Sequence, residues 1–212
     1  MPKEQWYNLA RFIHFDRDNF REALNVLELL IMYYPKKQYW VQASHLYGEE
    51  KDEARQLALL EATYEQNLLD RSQDIVLISQ LYLQAEVPYP AARAMEKGLA
   101  DDIVEKESKN YELAGVAWRQ AQEVTKSLPM LEAAASKSEK GELYARLGNV
   151  YLDVDKNKEA VEALKRGLDR GGVKRPDQAR LALGMAYFNL GDFNAARRAF
   201  REARKDKRAR SY

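Results

Sequence analysis

The sequence contains no cysteine and, among its 212 residues, only two histidines. Without cysteine there can be no disulfide bond, no thiolate nucleophile and no cysteine-ligated zinc. The histidines, His14 and His45, have no nearby carboxylates at a spacing recognised for metal ligands. We therefore expect neither a metal nor another cofactor, and we interpret both histidines as hydrogen-bonding groups on the surface or in a groove.

Proline and glycine are also scarce, at six and ten residues, which argues against an all-β fold. Alanine, leucine, glutamate, lysine, arginine and glutamine dominate, and these residues are favourable in helices. The 46% of hydrophobic residues can form a core, while the 32% of charged residues keep the surface hydrated. The composition predicts a soluble, nearly all-helical protein.

Neither sign of charge dominates, because 34 basic residues nearly balance 33 acidic ones. No long-range field therefore favours nucleic acid or an anionic membrane. The basic end, "RRAFREARKDKRARSY", spreads its charges around a helix and lacks aromatic residues interleaved for base stacking. We expect no nucleic-acid partner, and we interpret the terminal cations as complements of a helix dipole.

Long hydrophobic runs are missing as well. No stretch approaches the roughly 18 apolar residues of a membrane-spanning helix, and "MPKEQWYNLARF" has no signal-peptide core. We expect no direct membrane insertion. The helical pattern continues to the last residue without a C-cap, so we interpret both ends as cuts within a longer chain.

The most informative feature that is present is an internal repeat. The stretch "LGNVYLDVDKNKEAVEALKRGL" recurs 36 residues later as "LGMAYFNLGDFNAARRAFREA", and weaker copies lie upstream. In each first helix a small residue, such as Gly148 or Gly184, removes side-chain bulk so that a paired helix can pack closely. Each hairpin would leave an apolar face that only a neighbouring hairpin can cover, which is the logic of a stacked repeat fold.

These residues resemble the tetratricopeptide repeat, whose period is about 34 residues. The resemblance covers the whole chain and implies an all-α, right-handed superhelical solenoid of about six helical hairpins. We assign residues 1–212 to one such domain, in which the last hairpin lacks a capping helix. The approximate repeats are 3–36, 37–71, 72–107, 108–140, 141–176 and 177–212. We interpret the aromatic residues at repeat positions, Trp6 and Trp118 among them, as packing residues.

In tetratricopeptide proteins, certain positions of each first helix usually face the concave surface. By this resemblance, the predicted groove residues are Gln73, Val76, Gln80, Leu83, Gln84, Lys109, Glu112, Val116, Arg119, Gln120, Asn149, Leu152, Asp153, Met185, Phe188 and Asn189. The same rule adds Glu142, Ala145, Gln178 and Leu181. Amides alternate with apolar groups, which predicts binding of an extended peptide or a partner helix.

No sequence motif indicates catalysis. The chain lacks a phosphate-binding glycine loop, a Gly-x-Ser-x-Gly elbow and a His-Glu-x-x-His motif. Acidic runs such as "GEEKDEAR" have the alternating charges of exposed helix faces. We therefore predict a non-enzymatic scaffold for protein–protein interaction. A cytosolic chaperone or assembly adaptor is one form of it, although Arg146 with Asn149 is the only fragment of the carboxylate clamp found in repeats that bind chaperone termini.

Four stretches extend the resemblance: "YYPKKQYWVQASHLYGE", "VPYPAARAMEKGL", "GELYARLGNVYLD" and "RPDQARLALGMAYFNLG". They are similar to tetratricopeptide proteins encoded beside TonB-type energy-transduction components in Gram-negative bacteria. This resemblance implies a periplasmic accessory of a TonB-dependent transport system, with TonB-complex components as partners. We also expect self-association through exposed terminal repeats.

Overall fold

A computed structural model describes residues 2–205 of the chain, and all regular secondary structure in that range is helical. The helices are 12 to 14 residues long, as short repeat hairpins require. Their bounds are α1 Glu4–Asp16, α2 Phe20–Tyr33, α3 Lys37–Glu49, α4 Glu53–Glu65, α5 Ser72–Gln84, α6 Pro88–Ala100, α7 Ser108–Gln120, α8 Val124–Lys137, α9 Glu142–Asp153, α10 Asn157–Arg170, α11 Pro176–Asn189 and α12 Phe193–Lys205.

The chain divides into two compact units, Met1–Val87 (unit 1) and Pro88–Tyr212 (unit 2). In unit 1, α1 packs on α2 and α3 on α4; in unit 2, the pairs are α7 with α8, α9 with α10 and α11 with α12. Each second helix also packs on the first helix of the next hairpin within its unit. The prediction of an all-α fold of stacked helical hairpins is confirmed, whereas the assignment of all 212 residues to one domain stays a prediction.

The two helices of each pair are joined by a turn of constant geometry. A residue with positive φ follows each first helix, as at Lys51 (φ 61°), Gln122 (φ 62°) and Gly191 (φ 79°). The next backbone N–H then reaches back to a carbonyl five residues earlier; for example, Glu123 donates to Trp118 at 2.9 Å. These Schellman-type bonds satisfy carbonyls that the helix end leaves unpaired.

Small residues set the distance between paired helices, as the repeat pattern predicts. A Cβ atom added to Gly148 would lie 2.4 Å from Leu164 Cγ, and one added to Gly184 would lie 2.3 Å from Phe200 Cε1. Gly115 is equally close to Leu131, at 2.6 Å. Because α7, α9 and α11 each carry one such glycine against their second helix, the close packing recurs along unit 2.

A tyrosine–glutamate hydrogen bond recurs where successive hairpins meet. Tyr47 donates to Glu28 at 2.5 Å and Tyr82 donates to Glu61 at 2.9 Å; Tyr151 donates to Glu132. Burial, followed by the bond to a carboxylate, raises the pKa of all three phenols. The tyrosines therefore stay protonated at neutral pH and act as hydrogen-bond donors between repeats.

The core positions of the aromatic residues agree with the repeat pattern, with one exception. Trp118 is fully buried, and Tyr47, Tyr82 and Tyr151 are buried as well. The prediction was wrong for Trp6, whose side chain is 58% exposed. At later junctions the preceding second helix covers this face of the first helix, but within residues 2–205 no helix precedes α1.

Among the described residues, no helix combines the length and the apolar character that crossing a membrane requires.

Candidate partner-binding groove

The predicted groove residues all reach solvent to some extent. In unit 1, Gln73, Gln80 and Gln84 on α5 are exposed, while Val76 and Leu83 are half-buried. In unit 2, the set lies on α7, α9 and α11, and none of its members is buried. Of the four further positions, Ala145 is buried against the core of unit 2, so its assignment to the surface was wrong. Ala145 belongs to α9 and lies where α9 meets α10, because a Cβ added to Gly167 of α10 would lie 2.9 Å from the Ala145 backbone nitrogen.

In unit 2, side chains of α7, α8 and α9 line a pocket of about 380 Å³ that is open to solvent on one side. Four aliphatic side chains form its apolar lining: Val116, Leu131, Leu143 and Val150. Asn149 contributes an exposed amide to the same wall. Three of the predicted groove residues on α7, Glu112, Val116 and Arg119, are thus brought together with Asn149 on α9.

Two ion pairs between α7 and α9 form the polar rim of this pocket. Arg146 Nη1 lies 2.7 Å from Glu112 Oε1 and its Nε lies 3.3 Å from Glu142 Oε1. Arg119 Nη2 lies 2.9 Å from Asp153 Oδ2. The arginine side chains are about half exposed, at 50% and 53%. Ion pairs this open to solvent typically contribute only about 0–1 kcal/mol to stability.

Glu112, Arg119 and Asp153 are predicted groove residues, and the structure shows in addition that each pairs with a charge on the neighbouring first helix. Arg146 is not among the predicted groove residues, although it lines the pocket. A signal was available, because Glu112 and Arg146 are separated by 34 residues, as are Arg119 and Asp153. Opposite charges one repeat apart, on first helices that stack side by side, predict such cross-repeat pairs.

The first helix of the last hairpin continues the surface with an apolar stripe. Leu181, Met185 and Phe188 lie at i, i+4 and i+7 of α11, so they share one face of the helix. Their side chains are 49%, 51% and 57% exposed. At the end of the helix, Asn189 donates to Asn157 Oδ1 at 2.9 Å, so one of its amide hydrogens is already engaged. This stripe is apolar surface of the kind that marks a site of protein contact.

The two histidines lie in unit 1 and do not line this pocket. His45 is exposed on α3, and His14 on α1 is half-buried with its Nδ1 atom lacking a hydrogen-bond partner. Within residues 2–205, no three histidine, aspartate or glutamate side chains group in a way that could hold a metal ion.

Comparison with known proteins supports the repeat assignment. The tetratricopeptide repeat model matches residues 141–170 and 177–203, which are the last two hairpins of unit 2. No curated protein gives a significant sequence match to the chain.

Solved structures of MamA proteins share the fold. A crystal structure of MamA superposes with a TM-score of 0.61 at 17% identity, covering 76% of this chain and 92% of that one. MamA AMB-1 gives 0.63 at 19% identity, with 79% and 89% covered, and MamA MSR-1 gives 0.60 at 18%, with 79% and 94% covered. At these identities the similarity establishes the repeat fold and nothing finer.

Proposed function

We propose that this tetratricopeptide-repeat chain is a protein-binding scaffold and that unit 2 holds a peptide or a partner helix in its groove. The observation that supports this most is the pocket between α7 and α9, with an aliphatic lining and a charged rim. Its volume of about 380 Å³ falls within the range of roughly 300–1,000 Å³ typical of binding pockets. An apolar anchor side chain of the partner would fill it, and burial of that side chain would supply most of the affinity.

The rim would orient the partner rather than anchor it. Asn149 offers both an amide donor and a carbonyl acceptor, which suits the backbone of an extended peptide. The ion pairs of Arg119 and Arg146 are exposed, so exchanging an intramolecular carboxylate for one on the partner would cost little. The stripe on α11 would extend the contact along the partner. Tetratricopeptide solenoids act through such concave binding surfaces, and we assign no catalytic step to this chain.

A substitution in the pocket tests the proposal. Peptides selected from a random display library against the chain should share a large apolar anchor. Replacing Val116 by aspartate places a charge in the pocket and should weaken the selected peptides at least tenfold, about 1.4 kcal/mol. Thr125→Asp, at an exposed position on α8, is the matched control and should bind as the wild type does. Binding would be measured by isothermal titration calorimetry.

Since Val116 is half-buried, the folding of its variant must be checked by circular dichroism. Asn149→Ala changes an exposed side chain and should weaken the same peptides several-fold with an unchanged melting temperature. If no peptide is selected, or if the selected peptides bind both variants as tightly as the wild type, the pocket is not the binding site.

The finer proposal is that the chain is a periplasmic accessory of a TonB-dependent transport system. It is supported only by the resemblance of the four sequence stretches quoted above. The alternative of a chaperone adaptor is weakened, because Arg146 with Asn149 is the only fragment of the carboxylate clamp that the sequence carries.

Cell fractionation separates these two proposals. A tagged full-length protein in its native cells should appear in the periplasmic fraction and co-purify with TonB-complex components. Recovery with cytosolic markers and chaperones would reject the TonB proposal while leaving the scaffold proposal intact.

A further inference from the structure

The outer face of α12, the last helix in the described part of the chain, differs from the corresponding faces of the other second helices. Each of these other second helices has one large apolar core residue near its middle: Leu27, Leu60, Met95, Leu131 or Leu164. The residue directly after it lies towards the next hairpin. At three junctions this residue is a glutamate, Glu28, Glu61 or Glu132, and it accepts a hydrogen bond from a tyrosine of the next first helix. The other two junctions carry Glu96 and Lys165. The position is therefore where a covering helix makes its polar contact.

In α12 the equivalent position is Arg201, which follows Phe200. A helix that covers α12 would therefore present its polar group to a guanidinium rather than to a carboxylate. A guanidinium has donors only, and carboxylate oxygens match its fork geometry with two parallel hydrogen bonds. At three of the other junctions the covering helix carries a tyrosine opposite the glutamate. A helix that covers α12 in the same register would therefore need an aspartate or glutamate at that position, opposite Arg201.

A cavity beside Arg201 has the shape and chemistry for such a helix. Its volume is about 470 Å³, and its apolar part is formed by Phe188, Phe193 and Phe200. Phe193 is 59% exposed and packs edge to face with Phe188 at a centroid distance of 5.4 Å. Aromatic rings left this open are suited to burial by a partner's apolar side chains.

Positive charge surrounds these rings. Arg197, Arg201 and Arg204 line the same cavity on successive turns of α12. Within the described part of the chain, none of the three arginines forms an ion pair, while the one acidic residue of α12, Glu202, pairs with Lys205 at 2.5 Å. Within residues 2–205, the face therefore offers three guanidinium groups without an ion-pair partner around an apolar centre.

We infer that this C-terminal face of unit 2 binds an acidic amphipathic helix of a partner protein. The partner's apolar side chains enter the phenylalanine-lined cavity, and its carboxylates pair with Arg197, Arg201 and Arg204. This is helix-in-groove recognition, in which the apolar contacts give affinity and the charges fix register and specificity. The site is separate from the pocket between α7 and α9, so either can be present without the other.

A second copy of the chain is a poorer match for this face. Among the described first helices, α1 is the one on which no preceding hairpin packs, and it exposes Trp6, Leu9 and Ile13. At the position where the other first helices of unit 1 carry Tyr47 and Tyr82, α1 carries Ile13. Stacking α1 on α12 in this register would therefore place Arg201 against the aliphatic side chain of Ile13 instead of a polar group, which is unfavourable for a buried charge.

Designed helical peptides test the inference on the full chain. The probe is an alanine-rich helix with leucines spaced i, i+4 and glutamates flanking them; its controls replace every glutamate by glutamine or by lysine. The glutamate peptide should bind at least tenfold tighter than the glutamine peptide and should weaken as salt is added. Arg201→Glu should remove most of the preference for the glutamate peptide, and reversing Arg197, Arg201 and Arg204 together to glutamate should make the lysine peptide the tightest binder. Arg198→Glu, on the same helix but outside the cavity, should keep the wild-type preference.

Three results would overturn the inference. The first is equal binding of the glutamate and glutamine peptides. The second is self-association in analytical ultracentrifugation that Trp6→Ser abolishes and the glutamate peptide does not compete, which would assign the face to a second copy. The third is a single-stranded oligonucleotide that binds tighter than the glutamate peptide and loses binding in Arg201→Glu, which would assign it to nucleic acid.

Discussion

Replacing Trp118 by alanine should destabilise the protein by about 3–5 kcal/mol. Trp118 is fully buried on α7, with the Tyr89 ring in a T-shaped contact at a centroid distance of 5.4 Å and Lys126 Nζ 4.5 Å from its ring centroid. Truncation removes the largest buried side chain of unit 2 and leaves a cavity that the short, tightly packed helices cannot close. Chemical denaturation followed by circular dichroism measures the loss.

Two matched variants show whether burial causes this effect. Trp6→Ala is the same substitution at a 58% exposed site, and it should change stability by no more than about 0.5 kcal/mol. Trp118→Phe should cost less than half as much as Trp118→Ala, because it keeps an aromatic ring and removes an indole N–H that has no hydrogen-bond partner. Equal losses at Trp6 and Trp118 would contradict the assignment of Trp118 to the core.

Replacing Gly141 by alanine should cost about 3 kcal/mol, at the upper end of typical overpacking penalties. The added Cβ would lie 1.9 Å from the carbonyl oxygen of Gly167 and 2.7 Å from its carbonyl carbon. Gly141 has φ −74° and ψ −5°, which alanine adopts readily, so the penalty comes from the contact and not from backbone strain. The obstacle is backbone, and α9 and α10 must move apart to relieve it.

Gly148→Ala provides the comparison on the same helix. Its Cβ would also be too close, at 2.4 Å, but the neighbour is the side chain of Leu164, which can adjust. We expect a loss of about 1–2 kcal/mol for this variant. Thermal and chemical denaturation of the two variants would decide the point, and a Gly141→Ala protein as stable as Gly148→Ala would show that the close approach of Gly141 and Gly167 is not essential.

Much of the fold can be predicted from the sequence because small and large residues recur at fixed positions of each repeat. Gly148 and Gly184 predict close helix pairs, and the structure places Leu164 and Phe200 against them. The ends of some helices can also be predicted, because glycine readily adopts the positive φ that such turns require. Gly171, Gly172 and Gly191 all have positive φ in the structure. These signals are local and recur in each copy, so each repeat supports the interpretation of the others.

What the sequence did not predict depends on neighbours outside a single repeat. The exposure of Trp6 follows from the lack of a preceding helix within the described chain, although its repeat position is that of a packing residue. The engagement of Arg119 by Asp153 follows from the stacking of α7 and α9. Likewise, Arg201 stands at a repeat position that is glutamate in most of the other second helices. The role of that position is visible only in the structure, where Tyr47, Tyr82 and Tyr151 contact three of those glutamates.

Site-specific photo-crosslinking in the native cells tests most directly whether the groove of unit 2 binds the partner. A photoreactive residue at Asn149, beside the pocket, is compared with one at Lys158, an exposed position on the second helix α10. We predict that Asn149 crosslinks to one discrete partner protein and that Lys158 does not crosslink to it. The crosslink from Asn149 should be lost when Val116→Asp is added. Crosslinks of equal strength from both positions, or from Lys158 alone, would contradict a groove-binding scaffold.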